Sequence, residues 1–520
     1  MGSGFATGKP VLMIGLDAAE ISLVRQWMDA GMLPNLRALR ERGAFGPMRS
    51  TARWLVGSPW QSFFTSQTPV DHGMYHFLVW RPARMAHARP SKDWLPLQPF
   101  WRELAARGQR VIAIDVPQAY APDAYDGIEV SGWATHEILD PPASSPPDLL
   151  SRITRQFGTA PFDPEVTHPL TVDQLREVRD QCINTARLVG DLGVDLMQNH
   201  PWDLSIVCFS STHRGGHQLW DLSGLKGAAT AEQRAELGNA LRDVYIACDA
   251  AIGRVVQQAG ADANIIMFSL HGMGPNASRA DVLPEMLTRI LADKSSSGES
   301  LRKARFTDRL RALIPNEFRS RIKSRLPFWL QDKLTLYWRT GDIDWSSTRA
   351  FAAFGDLDGY IRINLRGREA QGIVAPGDEY QTLCKQIIDG LKTFVDEDSG
   401  EPLVETVGMT DEIFPRGAQR DLIPDMIVHW TPGAASRHRR IVSPRYGVIP
   451  WPTPGRHPQG RGGNHRPAGF VLACGDAFEP GGNIERADIL DLAPTVYELL
   501  DQPVPASFRG HSLLTPRSAG

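Results

Sequence analysis

Five short segments carry side chains able to ligate a metal or move a proton. Gly15-Leu-Asp17 puts a carboxylate directly after an apolar run. Thr212-His213-Arg-Gly-Gly-His217 sets two imidazoles four residues apart. Ser269-Leu270-His271-Gly-Met-Gly-Pro275 and Gly463-Asn-His465-Arg-Pro467 each offer one histidine beside glycine. Thr65 to His72-Gly73 is a polar turn after the cluster Trp60, Phe63 and Phe64. Each has an ordinary structural reading when taken singly. An Asp after a strand caps a helix, and a lone His is a hydrogen-bonded core residue. What favours chemistry is that several fall at strand ends. Imidazoles gathered around one point, with a position left open, suit Zn²⁺ first and accept Fe²⁺ or Mn²⁺.

Such groups act together only if the fold joins them. Val11–Leu16 is a compact apolar run that reads as a buried parallel strand. A helical pattern follows from Ala18 to Arg42, broken at Gly31 and Pro34. Similar apolar runs recur at Val111–Asp115, Asp203–Phe209, Asn264–Ser269 and Phe470–Cys474. Helical stretches lie at Phe100–Arg107 and Ala231–Gly260. Helix, apolar strand, polar turn is the repeating unit of a doubly wound α/β domain with a mostly parallel sheet. Ligands in such folds bind at the carboxyl ends of the strands, where these motifs lie. The middle differs. Tyr360–Asn364 alternates like a strand, and Tyr380–Val395 reads as a helix. The segment Arg302–Arg325 carries nine Lys or Arg and reads as an amphipathic basic helix pair. A lid or anionic-partner surface is one role for it, and a solvated insertion face is the ordinary one. The expected division is a catalytic domain over 1–290 and 440–520 with an inserted cap over 291–439.

Composition narrows the classes further. The chain has 520 residues, a formal net charge of −3, 42% hydrophobic and 22% charged residues. That balance argues against global disorder and against a dedicated nucleic-acid binder. Five scattered cysteines form no CxxC pair, so neither a disulfide framework nor a thiolate zinc site is expected. Val11–Leu16 is too short for a signal-peptide core, and no apolar stretch approaches the length of a membrane span. The expectation is a cytoplasmic protein with a small-molecule substrate, no nucleic-acid partner and no transmembrane segment. Its oligomeric state is open.

Together these residues resemble the alkaline phosphatase superfamily, in its type I phosphodiesterase/nucleotide pyrophosphatase branch. Val11–Asp17, Trp60–Thr65 running to His72-Gly73, Phe209–Trp220, His271–Pro275, Gly367-Arg368, Asn464–Pro467 and Asp488–Thr495 to Gly510 carry the resemblance, in order along nearly the whole chain. It implies an alkaline-phosphatase-like doubly wound sheet sandwiched by helices, with an inserted α+β cap. It also implies a two-metal site, and this chain departs from that pattern. In one subsite His217 and His465 match, but His213 replaces an Asp. In the other, Asp17 and His271 match, but Leu270 stands where an Asp pairs with the His. The nucleophile position, sixteen residues before His72, is Val56. Ser58 could serve only in a shifted loop.

These changes share a direction. Two adjacent dications need anionic ligands to offset their repulsion, and one carboxylate of the family's three remains. The expectation is therefore a mononuclear site of His213, His217 and His465, with Asp17 and His271 as further ligands, outer partners or general base. One divalent metal, Zn²⁺ before Fe²⁺ or Mn²⁺, is the expected cofactor. Without a hydroxyl at position 56, no covalent phospho-enzyme step of the family's kind is available. Arg53, Arg214, Trp60 and His76 are candidates for binding an anionic organic group such as a phosphoester. Trp54, Trp133, His136 and Trp220 are further aromatic neighbours of the motif turns. Three other readings stay open: a two-metal phosphodiesterase using Ser58, a non-hydrolytic lyase or iron-dependent oxidase, and a catalytically inactive binding protein.

Overall fold

The computed structural model describes residues 8–135, 139–159, 168–292, 343–414, 416–453, 457 and 460–514. His136 and the basic segment 302–325 lie outside the described residues. The centre is a nine-stranded sheet. Its order is Ala487–Asp488, Gly43–Arg49, Gly469–Cys474, Asn264–Ser269, Val11–Leu16, Leu204–Phe209, Val111–Ile114, Ile128–Ser131 and Ala143–Ser145. The five strands from Asn264–Ser269 to Ile128–Ser131 are parallel. Val11–Leu16 reads as an unbroken apolar run because both its faces are covered. Leu12, Ile14 and Leu16 join a core with residues of the helices Pro34–Arg42, Val172–Asn199 and Ala240–Ala259. Val11 and Met13 join a second core with Pro59–Thr65, Phe100–Ala106 and Leu492–Leu499. The sheet is thus sandwiched by helices, as the resemblance implied. The long helix Val172–Asn199 starts where Thr171 and Gln174 form a reciprocal capping box.

Ala143–Ser145 at the sheet edge is antiparallel to Ile128–Ser131, and one of the five expected strands also departs from the repeating unit. Gly469–Cys474 runs antiparallel to both its neighbours. It is entered by a short turn from the strand Gly463–Arg466, which itself pairs antiparallel with Gly272–Pro275.

A further core spans residues Val282 to Trp451. It contains a four-stranded antiparallel sheet in the order Ala350–Ala353, Gly359–Ile363, Met426–Trp430, Val404–Met409. The helices Leu283–Leu291 and Asp378–Leu391 contribute side chains to the same core. A buried ion pair anchors it. Glu369 accepts from Arg362, from Arg368 Nε at 3.0 Å and from Trp80 Nε1 at 2.8 Å. Arg362 and Glu369 side chains are both wholly buried. Glu369→Ala leaves the Arg362 charge without its carboxylate, and the expected cost is about 3–5 kcal/mol in urea unfolding. Among the described residues, no helix is long and apolar enough to cross a membrane.

Candidate metal centre

Three adjacent strands bring their carboxyl ends together. Val11–Leu16 lies between Leu204–Phe209 and Asn264–Ser269. Asp17 follows the middle strand, and His271 follows Asn264–Ser269 by one residue. Leu204–Phe209 leads into the helix Ser211–Leu219, where His213 and His217 share a face at i, i+4. His465 arrives differently. It sits on the strand Gly463–Arg466, which pairs antiparallel with Gly272–Pro275, and Met273 is its register partner. That ribbon sets His465 opposite a residue two positions beyond His271, although 194 positions separate the two histidines.

The result is a buried cluster of four imidazoles. The His465 ring centroid lies 4.8 Å from that of His213, 4.9 Å from His217 and 4.6 Å from His271. Ligand atoms of His213, His271 and His465 all fall within 4.8 Å of one another. His217 Nε2 is 3.0 Å from His213 Nε2. His213 and His465 thus lie together as expected, but the histidine whose ligand atom converges with theirs is His271, with His217 beside His213.

The proton positions follow from the partners. His213 Nδ1 lies 2.9 Å from Asp17 Oδ2, and His217 Nδ1 lies 3.0 Å from the Gly463 carbonyl. A carboxylate and a carbonyl only accept, so both Nδ1 atoms carry the hydrogen and both Nε2 atoms carry a lone pair. Two lone pairs facing at 3.0 Å repel unless a cation is shared between them. His465 Nδ1 is buried with no hydrogen-bond partner. Burial, reinforced by His271, His213 and His217, holds the His465 pKa well below the usual imidazole range. The cluster thus resists protons and presents neutral nitrogen donors, a set that fits a divalent transition metal.

Asp17 is held on both sides. Its Oδ1 accepts from Trp60 Nε1 at 3.1 Å and lies 3.8 Å from His271 Nε2. Its carbonyl accepts from Thr212 Oγ1 at 2.6 Å. The following residue, Ala18, takes a φ of 56°, a left-handed conformation that costs a non-glycine residue energy.

The remaining candidates are placed as follows. Leu270 is buried in an apolar core and has no ligating atom. Val56 is also buried, and its N–H donates to Tyr360 Oη at 3.1 Å. Ser58 is wholly buried, and its Oγ lies 2.6 Å from the Leu55 carbonyl and 2.8 Å from Thr51 Oγ1. Thr51 continues to Ser62, whose Oγ lies 2.9 Å from His72 Nε2. His72 Nδ1 accepts from Met74 N at 3.1 Å, so its proton sits on Nε2, towards Ser62. That tautomer cannot take a proton from Ser62, and burial holds the His72 pKa down to about 3. The His72-Gly73 turn is thus structural, with Gly73 in the left-handed region at φ 79°. Arg53 is exposed, with its guanidinium 5.3 Å from the Trp54 ring. Arg214 is buried and donates to Gln181 on the long helix at 3.2 Å.

Residues on and between the strands of the four-stranded sheet supply neighbours that the motifs did not announce. Asn464, next to His465, donates to the Asp356 carbonyl at 3.2 Å. The Asp356 carboxylate lies 3.8 Å from His76 Nε2. Asp358 Oδ1 pairs with His429 Nδ1 at 3.0 Å, and the His429 ring lies 4.8 Å from Trp54. Burial raises the Asp358 pKa, and its Oδ2 is buried without a partner. Neither periodicity nor spacing marks Asp356 or Asp358. The one signal is His429, a polar residue inside the apolar strand Met426–Trp430.

A model of the type I phosphodiesterase / nucleotide pyrophosphatase family matches residues 11–442. Among solved structures, phosphonoacetate hydrolase from Sinorhizobium meliloti 1021 is similar at a TM-score of 0.50 and 12% identity. That match covers 95% of this chain and 96% of that chain, in complexes with phosphonoformate and with phosphonoacetate. Human ectonucleotide pyrophosphatase / phosphodiesterase 5 matches at a TM-score of 0.48 and 11% identity, covering 96% of each chain. At 12% identity the hydrolase likeness bears on the fold alone. No curated protein matches the sequence.

Proposed function

Because the chain belongs to the type I phosphodiesterase / nucleotide pyrophosphatase family, we propose that it is a divergent metal-dependent hydrolase-like enzyme with a mononuclear, histidine-rich site. Its substrate is a small anionic organic molecule, a phosphoester or similar. The observation that carries this reading is the pair of facing Nε2 atoms of His213 and His217, beside the buried, unpartnered Nδ1 of His465. His213, His217 and His465 would hold one metal, with His271 within reach, and Zn²⁺ is the ion that best fits a neutral imidazole set. Such an ion, when bound, supplies Lewis acidity and makes water a better nucleophile near neutral pH. Attack falls to water, because Val56 has no hydroxyl. The exposed guanidinium of Arg53 stands on the 3-10 turn Thr51–Arg53 and is available to pair with an anionic group. Cytoplasmic residence belongs to the same reading, and five buried, free cysteines are compatible with it.

Elemental analysis of purified protein tests the metal assignment. One equivalent of a divalent transition metal per chain is expected, and two equivalents would return the site to the family's two-metal pattern. Ser58→Ala is expected to retain turnover of a chromogenic aryl phosphodiester, since its hydroxyl lies against the Leu55 carbonyl. A dead Ser58→Ala that still binds metal would make Ser58 the nucleophile. The missing hydroxyl at position 56 also favours a second reading, a non-hydrolytic lyase or iron-dependent oxidase. Iron as the bound metal, with oxygen-dependent turnover and no phosphate release, would select that reading.

A further inference from the structure

We infer that Trp60 and Asp17 form a positioning relay that fixes the proton tautomer of His213, with Asp17 outside the metal's own ligand set. This rests on the metal-dependent reading above and deepens it.

The relay begins with a donor that cannot reverse. An indole N–H only donates. Trp60 is 4% exposed, and its ring packs against Phe63 at 5.9 Å and Phe268 at 6.2 Å between centroids. Gly15 makes room for it, since a Cβ there would lie 3.3 Å from Trp60 Cη2 and 2.9 Å from Cys208 Sγ. The indole therefore holds one acceptor, Asp17 Oδ1, at 3.1 Å. The other oxygen then faces His213 Nδ1 at 2.9 Å. Asp17 is 1% exposed and its backbone is pinned by Phe209 and Thr212, so the carboxylate has little freedom to turn elsewhere. The consequence is local and chemical. His213 carries its hydrogen on Nδ1 and turns the Nε2 lone pair towards His217. This is the carboxylate–imidazole arrangement that orients a metal-binding histidine and raises its basicity.

An asparagine at position 17 exposes the logic. Asp17 offers two acceptor oxygens to two donors. An amide offers one oxygen and one NH₂. With Trp60 present, the amide oxygen turns to the indole, and the NH₂ donates to His213 Nδ1. That favours the hydrogen on Nε2, so a metal must displace it to bind, and affinity falls although His213 still ligates. Removing the indole as well, by Trp60→Phe, frees the amide to rotate and accept from Nδ1 again. A second mutation should therefore rescue the first.

The test is metal affinity, measured by chelator competition with Zn²⁺ and by the visible spectrum of the Co²⁺ form. Asp17→Asn is expected to weaken binding by about 10–100-fold with the coordination number unchanged. Trp60→Phe alone should lose far less than Asp17→Asn, and the double variant should recover most of that loss. A double variant no tighter than Asp17→Asn, or a Co²⁺ spectrum showing a lost ligand in Asp17→Asn, overturns the relay while leaving the metal site standing. Wild-type protein that takes up no metal overturns the metal reading and the relay with it. Ring-¹⁵N spectra of wild-type protein with labelled histidine guard against variants that fail to fold. Nδ1-protonated His213 supports the relay, and Nε2-protonated His213 overturns it.

Discussion

Alanine at position 465 is expected to abolish metal binding and, with it, turnover. His465 is the imidazole that the other three surround, at ring separations of 4.6 to 4.9 Å. Its side chain is supplied by the ribbon of Gly463–Arg466 on Gly272–Pro275, and alanine leaves that backbone pairing intact. The loss is then of a donor, not of the fold. It should exceed the roughly 10–100-fold penalty typical of outer partners. His213→Ala is expected to behave alike, since it removes the nitrogen facing His217. Elemental analysis and turnover of an aryl phosphodiester check both variants, with thermal unfolding of the metal-free proteins as the control. Full activity in either variant would end the mononuclear assignment.

Gly463→Ala is expected to damage the site from the backbone side. A Cβ at this position would lie 2.0 Å from the Gly216 carbonyl oxygen and 2.8 Å from Trp220 Cβ. Both neighbours sit on or at the end of the helix that carries His213 and His217. The clash is steric and not conformational, because Gly463 is absent from the residues with positive φ. The ribbon must move away from the helix, and that movement also pulls the Gly463 carbonyl from His217 Nδ1. Overpacking of this kind costs roughly 1–3 kcal/mol or more. A lower melting temperature together with weakened metal binding is the expected result. Unchanged metal affinity would show that the helix and ribbon are not coupled through this contact.

Much of the fold could be read from residue order. Helices at Ile21–Asp29 and Pro34–Arg42 fall on either side of the breaks expected at Gly31 and Pro34. Asp378–Leu391 and Gly359–Ile363 lie where helix and strand periodicity indicated. The antiparallel direction of Gly469–Cys474 could not be read, because an apolar run has the same composition in either direction. Gly463-Asn-His-Arg-Pro467 has no alternating apolar pattern to mark it as a strand. It is a short strand because it finds a partner in Gly272–Pro275.

At the site the division is similar. The sequence alone determined the donor set: four histidines at strand ends, one carboxylate, leucine and valine where the related family has a ligand and a nucleophile. From those types, set against the related family, came the expectation of a neutral metal site without a covalent step. Only the tertiary structure decided that His271 joins the cluster, and that Asp17 lies between Trp60 and His213. Those contacts link residues 43 and 196 positions apart. Local pattern reports which face of a strand is buried, but strand order and ribbon pairing decide which strand ends meet. Donor and acceptor geometry at that meeting point then sets the tautomers on which the proposed metal binding would depend.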